Sequence, residues 1–411
     1  MSTKSNEYNI IKKTEAETLA TFQEEIPSIY FSHLSEEDYR KYITNAEYVY
    51  RDCFKFPPKM FDGAELIDFG AGTGENTIYL ANWGATCTLV EMNDKAQKIS
   101  KDVFSKYARN KEYHTFVCSS IFDYEPEDQK KYDIVHCRGV LSHTAAKKKA
   151  FTKIATFVKP GGFLIFGDPN KAGGFQNMLQ RYVVYRFAST PDEMVDVCET
   201  LFKEDIDRSE KAVPRTRRAI IFDRWVIQSQ DDPSVSEVVS WIQESGLHIY
   251  SCYPPALFPL VGDSINHMPK FDPYTLHDFF SITELTWMLQ TDSDAEFLPA
   301  ITSQLCEFAS SLTEITTYMK NFNKHKNLDT KEFTSLSQEL LASMNKLTVF
   351  DPLRDKLSVF ASEAEEFVSL VKNGDLAKVR EFIEKTQYLF KGACGVRHVD
   401  FIAYKPNSSQ L

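Results

Sequence analysis

The sequence predicts an α/β protein built on a doubly wound parallel sheet, and three observations carry that expectation. Five short apolar runs alternate with amphipathic helical segments between Ala64 and Phe166, the alternation that a parallel sheet with crossover helices requires. The first run opens directly into a glycine-rich turn, Gly70-Ala71-Gly72-Thr73-Gly74, with a helical segment behind it. The 411 residues are 43% hydrophobic and 26% charged, a composition that supports a sizeable core and excludes disorder as the main state.

Residues 1–60 are polar and rich in aromatics, with amphipathic stretches such as Glu36 to Tyr50, and they end at the turn-forming pair Pro57-Pro58. They read as a helical N-terminal cap. The strands that follow are Leu66–Phe69, Cys87–Val90, His114–Cys118, Tyr132–His136 and Phe163–Phe166, and Thr77 to Trp83 is the helix behind the glycine turn. Residues 171–232 show no clear strand and carry many charges, so they read as an insertion. A helix from Val235 to Glu244 then leads through Gly246 to a sixth run, which begins at Leu247 and stops at Pro254-Pro255. Beyond Thr283 the pattern is helical. Phe297, Ile301, Leu305, Phe308 and Leu312, and again Leu357, Phe360, Ala364, Phe367 and Val371, recur at three-and-four spacing. No fixed repeat period links them, so a small bundle rather than a solenoid is expected. Val399 to Tyr404 alternates as a last strand.

Net charge is −11, from 47 basic against 58 acidic residues, which argues against a dedicated duplex-binding surface. The eight cysteines form no C-x-x-C pair, so neither a zinc site nor a disulfide framework is expected, and a reducing compartment is. The opening MSTKSNEYNIIKK lacks the apolar core of a signal peptide, and no 18-residue apolar run occurs. The expectation is a cytoplasmic protein with no nucleic-acid partner, no membrane span and no metal.

A buried strand that enters a glycine turn and then a helix lets backbone N–H groups approach a ligand closely, although such a turn also serves close helix–sheet packing alone. Seventeen residues beyond Gly74, Glu91 ends the second strand, where an acidic side chain accepts hydrogen bonds from both hydroxyls of a ribose. A dinucleotide fingerprint, G-x-G-x-x-G counted from Gly70, would need glycine at Glu75. The spacing present, G-x-G-x-G two residues after Asp68, resembles instead the first motif of the class I S-adenosylmethionine-dependent methyltransferases. Gly139-Val140-Leu141-Ser142-His143-Thr144, after the fourth strand, is similar to the "GVLxHT" of small-molecule members, and Val158-Lys159-Pro160-Gly161-Gly162 to the family's "L-K-P-G-G" turn. The amide-directed N-P-P-Y type signature of nucleic-acid methyltransferases is absent there. The likeness is specific over about residues 64–168 and weaker over 235–254 and 396–406.

The resemblance implies a Rossmann-like, doubly wound seven-stranded sheet whose antiparallel last strand inserts between the fifth and sixth. Leu247 to Tyr253 fits the sixth strand and Arg397 to Lys405 the seventh. The implied domains are the cap at 1–60, a catalytic domain of 61–264 plus 395–411 in which 171–232 covers the acceptor site, and a helical insertion at 265–394 through which a homo-oligomer could form. S-adenosylmethionine is the implied cofactor. Asp68, Gly70 and Gly72 would shape the pocket for its methionine part, with Ala71 and Asn76 beside them, while Glu91 would hold the ribose and Met92 flank the adenine. Ser120 stands where the family often has an acidic residue for the adenine amino group, next to the backbone of Ile121. Cys137 would lie beneath the sulfonium, or serve as a small buried filler.

With an activated sulfonium donor, the protein's part is to align the reactants and exclude water; a hydroxyl acceptor also needs a general base. His143, on the rim where open α/β sheets bind ligands, is the first candidate, with packing beneath the following helix as the other reading. Asp168, at the end of the fifth strand, is the second candidate. Lys211 to Arg224 is a basic stretch, and Arg215, Arg217 and Arg218 could clamp an anionic group of a small-molecule or carrier-bound acceptor, unless the acids from Glu204 to Glu210 pair with them on a solvated face. Tyr30, Phe31, Tyr39, Tyr42, Tyr48 and Tyr50 either close over the cofactor or pack in the cap. The expected function is O-methylation with a His base. The alternative is a non-catalytic S-adenosylmethionine-binding partner subunit whose helices mediate assembly.

Overall fold

Leu66-Ile67-Asp68-Phe69 is buried along its whole length, and a strand buried on both faces belongs in the middle of a parallel sheet. In the computed structural model, which describes residues 2–28, 34–212, 215–254, 306–307, 310–311, 314, 330–346, 351–391 and 398–407, β1 (Glu65–Phe69) lies between β2 (Thr86–Glu91) and β4 (Tyr132–Arg138). The sheet is completed by β3 (Thr115–Cys118), β5 (Val158–Pro169), β6 (His248–Tyr253) and β7 (His398–Tyr404), in the order β3-β2-β1-β4-β5-β7-β6. The first five strands are parallel, and β7 runs antiparallel to both β5 and β6. The seven-stranded doubly wound sheet with an inserted antiparallel strand is therefore present as expected.

Two apolar layers cover the sheet. On one face, Ala150, Phe151 and Ile154 of α5 (Lys147–Thr156) and Val238, Trp241 and Ile242 of α10 (Val235–Glu244) pack on Ile67, Val135, Leu164 and Phe166. On the other, α3 (Ile78–Asn82) and α4 (Asp94–Tyr107) are joined by Tyr50, Phe54, Phe56 and Phe61 over Leu66, Leu89, Ile134 and Ile402. These aromatics follow α1 (Ser2–Glu24) and α2 (Glu36–Tyr48), so much of the cap's aromatic content is core. Tyr39 stacks on Tyr107 at 4.6 Å, and Tyr30 and Phe31 lie outside the described residues.

Several boundaries differ from the expectation for local reasons. The fifth strand starts at Val158 rather than Phe163, because Tyr132 pairs with Val158 before the register shifts and Ile134 pairs with Phe163. The bulge holds Gly161 at φ +80°, so the glycine pair bends a strand instead of ending one. His114 stays out of β3, where its ring Nδ1 accepts the Cys87 N–H. The insertion is helical: α6 (Lys171–Phe187), α7 (Pro191–Leu201), α8 (Lys203–Ala212) and α9 (Arg217–Ile221) gather Ile206, Ile220, Phe222 and Trp225 in full burial.

The chain falls into two compact units, residues 1–288 with 394–411 and residues 289–393. In the second, formed in part by α11 (Thr330–Asn345), α12 (Asp351–Asn373) and α13 (Leu376–Lys385), Phe360, Phe367 and Val371 of the three-and-four rhythm are buried, as are Val379 and Ile383. The earlier set from Phe297 to Leu312 lies outside the described residues, as do residues 255–305. Among the described residues no helix is long and apolar enough to cross a membrane.

Candidate active site

The glycine turn lines a cavity of ≈ 360 Å³. Gly70, Gly72 and Gly74 all have positive φ. At Gly70 a side chain is excluded twice over, by φ +68° and because a Cβ would come within 2.5 Å of Val140 Cγ2. The turn is pinned to β2, where Gly70 and Ala71 donate to the Val90 carbonyl at 2.9 and 3.2 Å. Glu91 closes this arrangement. Its Oε2 accepts the Gly72 N–H at 2.8 Å and its Oε1 accepts the Asn93 N–H at 2.7 Å. Burial pushes its carboxyl above the usual range, against the opposing pull of those N–H groups.

Of the residues singled out in the sequence, the structure brings Gly70, Ala71, Gly72, Asn76, Glu91, Met92, Ser120, Ile121, His143 and Arg215 to the pocket wall. Asp68 and Cys137 are buried behind it. Asp68 bonds the Thr77 hydroxyl and accepts from His136 Nδ1 at 2.7 Å, and Tyr50 meets His136 Nε2 at 2.9 Å. This buried chain fixes the glycine turn from below; Asp68 acts through it and not on the pocket surface.

Two further expectations need correction. Asp168 does not line the pocket. It is buried, with Ser142 donating from its N–H at 2.9 Å and from Oγ at 3.0 Å, so it organises the loop before His143 and is not placed to take an acceptor proton. Burial, with Asp232 adding to it, raises its pKa to about 8 despite the Ser142 donors. A raised acid stabilises the fold most below its ordinary pKa and loses that contribution as pH rises toward 8. Asp168→Asn, an isostere that still pairs with Ser142, should therefore gain on the wild type by about 2 °C or more in melting midpoint between pH 5 and pH 8. A difference that stays constant over that interval would show Asp168 to be ionised throughout.

The arginine clamp is not assembled either. Arg217 is held by Glu199, Asp207 and Glu210, and Arg218 by Glu24, Glu25 and Asp192, because acids on α1, α7 and α8 surround the start of α9. Neither lines the pocket. Arg215 does, between Glu75 at 2.9 Å and Asp223 at 3.3 Å.

His143 lines the pocket with its Nδ1 3.0 Å from the Ser229 carbonyl oxygen. A carbonyl only accepts, so Nδ1 carries the proton and the neutral ring keeps its lone pair on Nε2. Phe22 of α1 meets the ring edge-on at 5.5 Å. The helical cap was expected, but its pocket-lining residues were not singled out: Glu15, Thr18, Leu19 and Phe22 of α1, with Ile26 just beyond it, line the pocket, and their signal in the sequence was the three-and-four spacing of Leu19, Phe22 and Ile26. Arg138 and His398, both at the wall, meet on Asp400. Two buried polar atoms of lining residues have no hydrogen-bond partner: Arg215 Nε, a donor, and Asn177 Oδ1, an acceptor.

A family described as a methyltransferase domain matches residues 42–292. The chain belongs to that family, in the class I, S-adenosylmethionine-dependent group whose sheet order it has. Among curated relatives it is similar to the ubiquinone biosynthesis O-methyltransferases of Thiobacillus denitrificans, 27% identical over 109 residues, and of Vibrio parahaemolyticus, 28% over 113 residues. Each match takes in 26% of this chain and 46% or 45% of the relative, so the chain spans about half the length of the curated relatives it matches. Among solved structures it is similar to PKMT2 from Rickettsia typhi, with TM-score 0.41, 12% identity and coverage of 59% of this chain and 49% of that one. It is also similar to magnesium protoporphyrin IX methyltransferase from Synechocystis PCC 6803, with TM-score 0.31, 13% identity and coverage of 52% and 70%.

Proposed function

We propose that the protein transfers the methyl group of S-adenosylmethionine to a hydroxyl of a small-molecule acceptor, with Glu91 holding the cofactor ribose and His143 serving as general base. The observation that carries this reading is Glu91, a half-buried carboxylate at the pocket wall whose two oxygens are each anchored by a backbone N–H beside a glycine turn. Each oxygen keeps a lone pair for a ribose hydroxyl.

When bound, S-adenosylmethionine supplies a sulfonium-activated methyl group. The chain's residues suit such a ligand. The wall carries the carboxylates Glu15, Glu75, Glu91 and Asp223 against the guanidinium groups Arg138 and Arg215, an excess of negative charge that favours a cationic donor over its neutral product. The unpartnered Arg215 Nε and Asn177 Oδ1 offer a donor and an acceptor, complementary to the carboxylate and ammonium of an amino-acid moiety. Phe22 and Leu19 on α1 limit water at the rim. His143 Nε2 holds the lone pair that an acceptor hydroxyl needs, and the O-methyltransferase names of the curated relatives point the same way.

Calorimetry with S-adenosylmethionine and S-adenosylhomocysteine tests the cofactor, and transfer of labelled methyl into a metabolite extract tests the reaction. Glu91→Gln, which turns one amide face toward a backbone N–H, should weaken cofactor binding by about 2–3 kcal/mol, roughly 30- to 150-fold. Absence of binding to either ligand by the wild-type chain would sink the reading.

A further inference from the structure

We propose that Glu15, on the N-terminal helix, recognises the 6-amino group of the cofactor's adenine and so supplies a contact that the end of β3 lacks in this chain. This builds on the cofactor reading above. Beyond Glu91 and Met92 the pocket wall is made by Ser119, Ser120 and Ile121, none of which carries a charge. The two serine hydroxyls are already engaged: Ser119 Oγ donates to the Ser120 carbonyl at 3.1 Å, while Ser120 Oγ accepts the Phe122 N–H at 3.0 Å and donates to Glu15 Oε1. The carboxylate at this end of the pocket thus comes from a segment 105 residues earlier in the chain.

Glu15 is held there from both sides. Its Oε2 accepts from Lys12 Nζ at 2.7 Å, and Lys12 also pairs with Asp123 in the loop after β3. The helix itself is tied across the pocket, since Asn93 Nδ2 donates to the Phe22 carbonyl at 3.1 Å and Lys95 Nζ to that of Gln23 at 3.0 Å. The Glu15 side chain is 15% exposed, and Ser120 occupies one lone pair of Oε1, leaving another for a ligand N–H. Adenine presents an amino donor at its 6-position, whereas a 6-oxo purine presents an acceptor that a carboxylate repels. A site built around an acceptor of this kind rejects the analogue that cannot donate.

The test is calorimetry of the full chain with S-adenosylhomocysteine and its deaminated analogue, S-inosylhomocysteine. The wild type should prefer the adenosyl ligand by roughly tenfold or more. Glu15→Gln should lose about tenfold in adenosyl affinity while inosyl affinity changes by less than about threefold, so that the preference collapses. Ser120→Ala, which leaves the carboxylate in place, should retain the preference; its collapse there would make Ser120 the reader and overturn the proposal. An equal loss for both ligands in Glu15→Gln would reduce Glu15 to a tether for the helix, and an unchanged preference would remove it from recognition, each overturning the proposal. A wild type that binds both ligands equally overturns this inference alone, whereas one that binds neither overturns the cofactor reading itself.

Discussion

Replacing Gly167 with alanine is expected to leave the protein largely unfolded or insoluble, although the change adds one methyl group to a strand. Gly167 of β5 pairs with Arg138 of β4 on one side and with Asp400 of β7 on the other. The Asp400 carboxylate reaches over it to take both arms of Arg138, Nε at 2.6 Å and Nη2 at 3.1 Å. A Cβ on Gly167 would lie 1.9 Å from Asp400 Oδ1 and 2.9 Å from His398 Cε1. The ion pair therefore exists only because position 167 has no side chain. Burial alone would raise the Asp400 pKa, but Arg138 and His398 hold it well below the usual carboxylate range. Its stabilising contribution is then present above the ordinary aspartate pKa and lost as pH falls through that range.

Separating a buried, bidentate pair leaves an uncompensated charge and costs about 3–5 kcal/mol, a large part of the roughly 5–15 kcal/mol that holds a domain together. Urea titration of soluble protein would measure the loss. The decisive comparison is Asp400→Ala alone against the double variant with Gly167→Ala. If the glycine's role is to make room for the carboxylate, the second change should add less than about 0.5 kcal/mol once the carboxylate is gone. Additive losses would assign Gly167 some other function in the strand.

This row also marks where sequence reasoning stops. The first strand, the glycine turn and Glu91 were legible because each depends on residues close in the chain whose chemistry follows from spacing: a buried run, a turn requiring positive φ, an acid at a strand end. The pairing of Arg138 with Asp400 spans 262 residues and leaves no periodic trace, and nothing in the residues around Gly167 marks it as the space that the pairing needs. The same limit explains the arginines at and just before α9. Their cluster in sequence suggested an anion clamp, but Arg217 and Arg218 are drawn to acids on other helices, and only Arg215 faces the pocket. Asp168 and His143 both lie at strand ends on the ligand-binding rim, and nothing in their spacing told the buried loop-holder from the residue that lines the pocket. The wall contributed by α1 was hidden for a different reason: the helix is mostly polar and carries no motif, and its pocket-lining side chains are recognisable only from the cavity they face.

His143→Ala is expected to lower kcat for methyl transfer by about 10²- to 10⁴-fold, the range for loss of a general base, while cofactor affinity changes by less than about threefold. The separation follows from position. The Ser229 carbonyl fixes the protonated Nδ1, which leaves Nε2 as the basic nitrogen, whereas Glu91, proposed to hold the ribose, is anchored separately by the Gly72 and Asn93 N–H groups. With labelled S-adenosylmethionine and the acceptor identified from extract, the acid limb of the kcat–pH profile should disappear in the variant, because that limb reports protonation of the base. His143→Gln separates basicity from positioning. Its amide can still donate to the Ser229 carbonyl but has no titratable lone pair, so it should be as slow as alanine if His143 removes a proton. Recovery of activity in His143→Gln would make the residue a positioning group for the loop before α5. A loss below tenfold in both variants would point instead to an acceptor, such as a free amine or a thiolate, that attacks the methyl group without a base.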